Sequence, residues 1–241
     1  MNYSDVLAVL GIGSAHPGGF AATLETLRRL PIRSGSRVLE IGCGTGRTAC
    51  YLAKHKHCQV TAVDIRDLMI EKAKLRALKE RVSVEFLTAD ATKLPFDNES
   101  FDVVYVESVT VFTQIPKALS EYYRVTRSKG SLYDREMCQV KTFTPEVKRA
   151  IRSVYGVNQV PSFEGWIEAA RKAGYSQAGL HEPSLIPKEA GLEDATLPDY
   201  NQEVSKEAFS PEVQRVIMKN SDFMKTFYSY LGFAVVCANK S

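Results

Sequence analysis

The run Val38-Leu39-Glu40-Ile41-Gly42-Cys43-Gly44-Thr45-Gly46 constrains this chain more than any other feature. A short segment suited to a buried strand leads directly into three glycines at alternate positions. Glycine has no Cβ, so the backbone there can turn sharply and approach a ligand closely. Residues 46–56 then read as a helix, and the free N–H groups at its start can meet a ligand carboxylate or phosphate. The dinucleotide-binding fingerprint is G-x-G-x-x-G. Counted from Gly42, the sixth place is Arg47 and the glycines fall as G-x-G-x-G, which weighs against a nicotinamide dinucleotide.

The rest of the chain repeats the strand–helix alternation. Phe20, Leu24, Leu27 and Leu30 recur at helical spacing over about residues 20–30, and Pro31 stops that helix. Gln59–Val63 reads as a second strand ending at Asp64, and Asp67–Glu80 as a helix with Lys72, Lys74, Arg76 and Lys79 on wet faces. Val82, Val84 and Phe86 alternate with polar residues as a third strand, and Phe101–Val106 is apolar enough for a fourth, doubly buried one. Residues 116–127 suit a helix and Ser131–Met137 a fifth strand. Such alternation predicts a parallel, doubly wound sheet.

Beyond residue 138 the texture changes. Thr144-Pro145-Glu146-Val147 and Ser210-Pro211-Glu212-Val213 share one helix-start signature: a hydroxyl N-cap, Pro at the first helical position and an acid in the first turn. After the second, Val213, Val216, Ile217, Phe223, Phe227 and Leu231 form one apolar stripe. Ser162 caps a further helix through Trp166 and Ile167, closed by Gly174. Tyr175–His181 and Gly232–Ala238 read as strands six and seven. The fifty or so residues between them are too long for a structureless loop, so a helical insertion is expected there.

Composition excludes several classes. In 241 residues, 31 Lys and Arg face 28 Asp and Glu, a net charge of +3 that is too small to announce a nucleic-acid binder. Hydrophobic residues make up 44%, which excludes disorder, and no apolar run approaches the roughly 18 residues of a membrane span. The longest candidate is Tyr230–Ala238. The first residues carry no basic region before the weakly apolar Val6–Leu10, so no secretory signal is expected. Cys43, Cys50, Cys58, Cys138 and Cys237 are odd in number and lack a C-x-x-C pair, which fits reduced thiols and a cytoplasmic location. His55-Lys56-His57-Cys58 crowds three potential ligands, but no second pair completes a zinc set, and no metal is expected.

With these residues in view, the glycine segment resembles motif I of the class I S-adenosylmethionine-dependent methyltransferases. Asp64, 22 residues after Gly42, stands where that family places the acid for the two ribose hydroxyls. Thr88-Ala89-Asp90-Ala91-Thr92-Lys93-Leu94-Pro95-Phe96, leading into Ser100-Phe101-Asp102-Val103-Val104, is similar to the family's adenine-pocket and fourth-strand pattern. The likeness is firm over residues 34–137 and nearest to the small-molecule branch typified by quinone-biosynthesis enzymes. It implies an α/β fold, a doubly wound, mostly parallel seven-stranded Rossmann-like sheet with a helical cap. On that reading 1–241 is one domain: an N-terminal lid and helix at 1–33, a cofactor-binding core at 34–137, later helices and a substrate cap at 138–231, and a last strand at 232–241.

The resemblance also implies roles. Glu40 and the turn Gly42, Cys43, Gly44 and Gly46 would hold the methionine part of S-adenosylmethionine, Asp64 the ribose and Ile65 the adenine face. Asp90 would accept from the adenine amino group with Ala91 beside it, and Glu107 would face the methionine end or the substrate mouth. A strand–helix turn, a strand-end cap, the start of a turn and a surface acid are the plain structural alternatives for these positions. Cys43 reads as a small buried filler.

Two departures narrow the chemistry. The second glycine expected before strand five is Ser131, and Val109-Thr110-Val111-Phe112 occupies the place where many relatives carry a His. No Pro-Pro-aromatic segment, Pro-Cys pair or double-glutamate loop directs the methyl to a nucleic acid or to arginine. A small-molecule acceptor is therefore expected, with no nucleic-acid or membrane partner. An RNA or protein acceptor, suggested by Lys72, Lys74, Arg76, Lys79 and Arg81, and a non-catalytic cofactor-binding module stay open as alternatives. A sulfonium methyl is already electrophilic, so in-line placement of the acceptor supplies much of the acceleration. If a base takes part, the candidate is His16 in Gly13-Ser14-Ala15-His16-Pro17-Gly18-Gly19, with helix capping as its alternative role. His181 reads as structural. The aromatics Phe209, Phe223, Phe227 and Tyr228 suit either a cap over an apolar acceptor or plain core.

Overall fold

The computed structural model describes residues 1–186 and 197–241. Helix α1 (Tyr3–Leu10) and α2 (Gly19–Arg29) precede β1 (Arg37–Ile41), α3 (Arg47–His55), β2 (Gln59–Asp64), α4 (Asp67–Glu80) and β3 (Glu85–Thr88). Then follow β4 (Phe101–Glu107), α5 (Ile115–Val125), β5 (Thr126–Gln139), α6 (Pro145–Tyr155) and α7 (Phe163–Lys172). The chain closes with β6 (Gln177–Leu185), α8 (Pro211–Phe227) and β7 (Leu231–Asn239). The strands make one seven-stranded sheet in the order β3-β2-β1-β4-β5-β7-β6. The five strands from β3 to β5 run parallel, and β7 lies antiparallel between β5 and β6.

That order puts the site where such sheets bind ligands. Successive strands leave β1 toward β2 and β3, then return on its other side through β4 and β5, so the sheet's switch point lies between β1 and β4. A crevice opens there beyond the strands' carboxyl ends. Val38, Leu39, Val104 and Val106 are buried, as doubly covered strands require. One apolar cluster gathers β4, α5, α6 and α7, and a second gathers α3 and α4 on the opposite face. No described helix is long and apolar enough to cross a membrane.

Several sequence expectations need correction. Lys72 and Arg76 do not lie on a wet face: they are 6% and 3% exposed. Lys72 Nζ donates to the Ala8 and Val9 carbonyls and to Ser205 Oγ, so it meets the negative end of α1. Arg76 donates from Nε to the Thr45 carbonyl at 2.8 Å and pairs with Asp199. Helical spacing alone cannot tell a charge in solvent from one that reaches a neighbouring helix end. Val82 and Val84 precede β3 rather than open it. Arg81 is the left-handed C-cap of α4 and the Val82 N–H bonds back to the Ala77 carbonyl, so these valines belong to the helix exit. Leu231 is the first residue of β7, since α8 ends at Phe227 and a 3-10 turn follows. Residues 187–196 of the expected insertion lie outside the described residues.

The N-terminus holds a helix that the weak apolarity of Val6–Leu10 did not announce. Asn2 accepts from the Asp5 N–H and Asp5 from the Asn2 N–H, a reciprocal capping box. Thr144, Ser162 and Ser210 cap α6, α7 and α8 through their side chains, and Pro145 and Pro211 open their helices.

Candidate functional site

The glycine turn is built by β2. The N–H groups of Gly42 and Cys43 both donate to the Val63 carbonyl, at 2.7 and 2.9 Å, which folds the turn over the end of the sheet. Gly42 has φ +69° and a Cβ there would sit 2.1 Å from Val109 Cγ2, so sterics exclude a side chain twice over. Cys43 points its thiol into the core, where burial pushes its pKa well up. Gly46 opens α3 against Ala73 and Phe86. These two positions shape the turn without lining the crevice.

Nine of the sequence candidates do line one crevice, of about 390 Å³: His16, Glu40, Gly42, Gly44, Asp64, Ile65, Asp90, Ala91 and Glu107. Asp64 is buried. Its Oδ2 accepts from the Gly44 N–H at 3.0 Å and its Oδ1 from the Arg66 N–H at 2.9 Å. Burial raises the Asp64 pKa, and those two N–H bonds oppose the rise. Ile65 stands 59% exposed on the rim, a bare apolar face beside the acid. Asp90 Oδ1 accepts from both the N–H and the hydroxyl of Thr92 at 2.8 Å, so it also begins a turn.

Glu40 carries the most telling polar atom. Its carboxyl is buried and Oε2 has no partner. Desolvation pushes its pKa well up, and the nearby Glu107 and Asp64 carboxylates push the same way. Against the four acids of the crevice stands one arginine, Arg66, which is already paired with Asp5. A crevice of this charge favours a cationic ligand and repels a pyrophosphate.

At the crevice's inner end, Glu107 and His16 come together. Glu107 accepts from Thr23 Oγ1 at 2.9 and 3.1 Å and from the Tyr105 hydroxyl at 3.0 Å, and it pairs with Arg135 Nε at 3.5 Å. His16 Nε2 lies 3.0 Å from Thr23 Oγ1 and 3.6 Å from Glu107 Oε1. The loop that carries this candidate base turns its imidazole inward, next to a carboxylate 91 residues away in sequence. Burial lowers the His16 pKa, Glu107 raises it and Arg135 lowers it again. The ring is therefore neutral at pH 7; with the single Thr23 hydroxyl proton given to Glu107, Nε2–H donates to Thr23 Oγ1, and a proton the ring gains enters at Nδ1, 3.4 Å from the Pro17 carbonyl.

His16 also faces a second cavity, of about 70 Å³, which shares Ala15, His16, Ser108, Phe112 and Tyr155 with the crevice. Tyr3 from α1 roofs it and packs edge-on against Tyr155, with ring centroids 4.9 Å apart at 89°. Met137, Ile186, Met224 and Leu231 complete an apolar wall, and no Lys, Arg, Asp or Glu lines it among the described residues. The turn that separates the two spaces is held from below. Glu136 on β5 accepts from the N–H groups of Val109, Thr110 and Val111 at 2.8, 2.6 and 3.3 Å, and Asp134 accepts from the Thr110 hydroxyl at 2.8 Å.

Sequence reading missed several of these groups. Thr23 and Tyr155 carry no local signal, because only tertiary packing brings them in. The run Asp134-Arg135-Glu136 did offer one: three charges in a strand that should be buried have to meet partners. Of the insertion aromatics, Phe223 packs behind Tyr155 rather than against the cavity, and Phe209 is 84% exposed. The α8 residues that reach the cavity are Asn220 and Met224. His181 sits on β6 beside Val235 and lines neither space. No group of three or more His, Cys, Asp or Glu suited to a metal ion occurs among the described residues.

Comparison with known proteins adds kinship to the geometry. Residues 38–130 match a family model described as a methyltransferase domain. A Bacillus subtilis (strain 168) protein described as an uncharacterized methyltransferase is 30% identical over 238 residues, which cover 99% of each chain. Phosphoethanolamine N-methyltransferase 3 of Arabidopsis thaliana is 26% identical over 220 residues, 91% of this chain and 41% of the plant protein. Among solved structures, the phosphoethanolamine N-methyltransferase 2 of Haemonchus contortus with S-adenosyl-L-methionine superposes with a TM-score of 0.78 at 23% identity, over 98% of this chain and 57% of the other.

Proposed function

Because the chain belongs to the class I S-adenosylmethionine-dependent methyltransferases, we propose that it methylates the hydroxyl of an uncharged, largely apolar small molecule. The observation that carries this reading is the uncharged second cavity, which meets the cofactor crevice at His16.

The crevice residues fit the cofactor. The orphaned Oε2 of Glu40 suits the methionine ammonium, and the surrounding acids suit the two positive charges of the methionine end and the sulfonium. Asp64, with one N–H already on each oxygen, keeps lone pairs for the ribose hydroxyls, while Ile65 and Asp90 suit the adenine face and edge. Gly42 and Gly44 let the backbone lie against the ligand. When bound, S-adenosylmethionine supplies a methyl group already activated by its sulfonium.

The chain's own residues then act on the acceptor. His16 takes the proton of the acceptor hydroxyl at Nδ1, and Glu107, bridged to the Nε2–H side by Thr23, stabilises the resulting imidazolium. Phe112, Tyr155 and Tyr3 exclude water and hold the acceptor against the crevice. An apolar wall strengthens every such electrostatic contact.

The alternatives fit less well. A phosphoamine acceptor, as named for the plant and nematode relatives, calls for cations around its phosphate, and none lines the cavity among the described residues. An RNA acceptor loses much of its basic face, because Lys72 and Arg76 are internal and Lys79 pairs with Glu203, which leaves Lys74 and Arg81. A non-catalytic binding module has no need of a cavity beside His16. The finer kinship with quinone-biosynthesis enzymes implied by the motifs agrees with a hydroxylated ring as acceptor. Calorimetric titration of the S-adenosylhomocysteine complex tests the class. Saturable binding of 2-naphthol without binding of phosphoethanolamine is expected, and the reverse would overturn the proposal.

A further inference from the structure

Asn220 is the only side-chain amide among the described residues lining the acceptor cavity, in a wall otherwise aromatic, aliphatic or thioether apart from Ser108 and His16. It lies on α8 and is 7% exposed. The Tyr155 hydroxyl donates to Asn220 Oδ1 at 2.7 Å, which fixes the amide's orientation. Tyr155 is itself fixed by edge-on packing against Tyr3 and Phe223, at centroid distances of 4.9 and 5.3 Å. The Nδ2 group donates to no described residue, so a ligand oxygen in this largely apolar cavity can accept from it.

We infer that Asn220 is a specificity-determining residue, whose amide N–H, oriented by Tyr155, selects acceptors carrying a carbonyl oxygen remote from the hydroxyl that faces His16. The acceptor class is thereby narrowed to hydroxylated apolar molecules with a second, hydrogen-bond-accepting oxygen, such as hydroxyaryl ketones. This rests on the apolar-acceptor reading above. Specificity of this kind is lopsided: a site built to bond a polar group rejects the analogue lacking it more strongly than it rejects a change of size.

The test uses a matched pair, 2-naphthol and 6-acetyl-2-naphthol, titrated into the full-length chain saturated with S-adenosylhomocysteine. Wild type should bind the acetyl compound about three- to tenfold more tightly, as one neutral hydrogen bond provides. Asn220→Leu should abolish that preference, bringing the ratio of the two affinities to about one. Tyr155→Phe, which keeps the ring packing and releases the amide, should reduce the preference and serves as the second variant if Asn220→Leu does not fold. Equal binding of both probes to wild type, or a preference that survives in the variants, would overturn the role of Asn220 alone. Binding of neither probe would overturn the apolar-acceptor reading together with it.

Discussion

Replacing Asp64 with Ala removes a buried carboxylate that serves both the fold and the proposed cofactor. In the ligand-free protein, the N–H groups of Gly44 and Arg66 lose partners at 3.0 and 2.9 Å. Both donors border the open crevice, so water can replace part of the loss, and about 1–3 kcal/mol of destabilisation follows. For a chain of this size that lowers Tm by roughly 2–4 °C for each kcal/mol. With S-adenosylhomocysteine bound, the variant further lacks the acceptor for two ribose hydroxyls. At about 1.5–3 kcal/mol for each charge-assisted bond the affinity should fall on the order of 10²–10⁴-fold. Calorimetry at a temperature where both proteins are folded separates the two effects. Asp64→Asn keeps the shape and one acceptor oxygen, and should fall between wild type and Asp64→Ala. A dissociation constant within threefold of wild type for Asp64→Ala would refute the ribose role, whatever the change in Tm.

Other expectations follow from the same geometry. His16→Ala should lower kcat toward 2-naphthol by about 10²–10⁴-fold with little change in S-adenosylhomocysteine affinity, and an equal loss in both would deny it a role as base. Since burial lowers the His16 pKa, wild-type activity should rise with pH only below about 6.5, where the free imidazole titrates, and stay level through neutrality; a limb centred above 7 would point to another base. Gly42→Ala should cost at least about 1–2 kcal/mol for the left-handed backbone plus the clash with Val109, read as a lower Tm. The Asp134 and Glu136 carboxyls share one buried site, and burial raises both pKa values, that of Glu136 to about 7. The folded state then binds more protons than the unfolded one between about pH 4.5 and 7, so their contribution to stability is present at the acid end and lost as pH rises through that window. Glu136→Gln, which can still accept from the 109–111 N–H groups, should flatten this slope in thermal melts, and an unchanged slope would remove the assignment.

How far the sequence revealed all this depended on whether the information was local. Buried strands are written as apolar runs, and a glycine turn as absent side chains, so β1, β2, β4, the core of β5, the turn and Asp64 could be read directly, whereas the start of β3 was not. Ser162 and the two Pro-Glu starts announced their helices by hydrogen-bond chemistry. What failed was long-range. Whether Lys72 ends in water or at the α1 carbonyls depends on a helix 64 residues earlier in the chain. Likewise, His16 gains a carboxylate only because α2 packs Thr23 over the end of β4. Asn220 looked like any polar residue on an amphipathic helix until the fold placed it in the wall of an apolar cavity with its oxygen taken by Tyr155.

Methyl transfer itself is the most direct test of an uncharged acceptor at His16. The wild-type protein should be incubated with S-adenosylmethionine labelled in its methyl group, offering 2-naphthol and phosphoethanolamine side by side. Label in 2-methoxynaphthalene, lost in His16→Ala, is the predicted result. Label in phosphoethanolamine with none in the naphthol ether would contradict it.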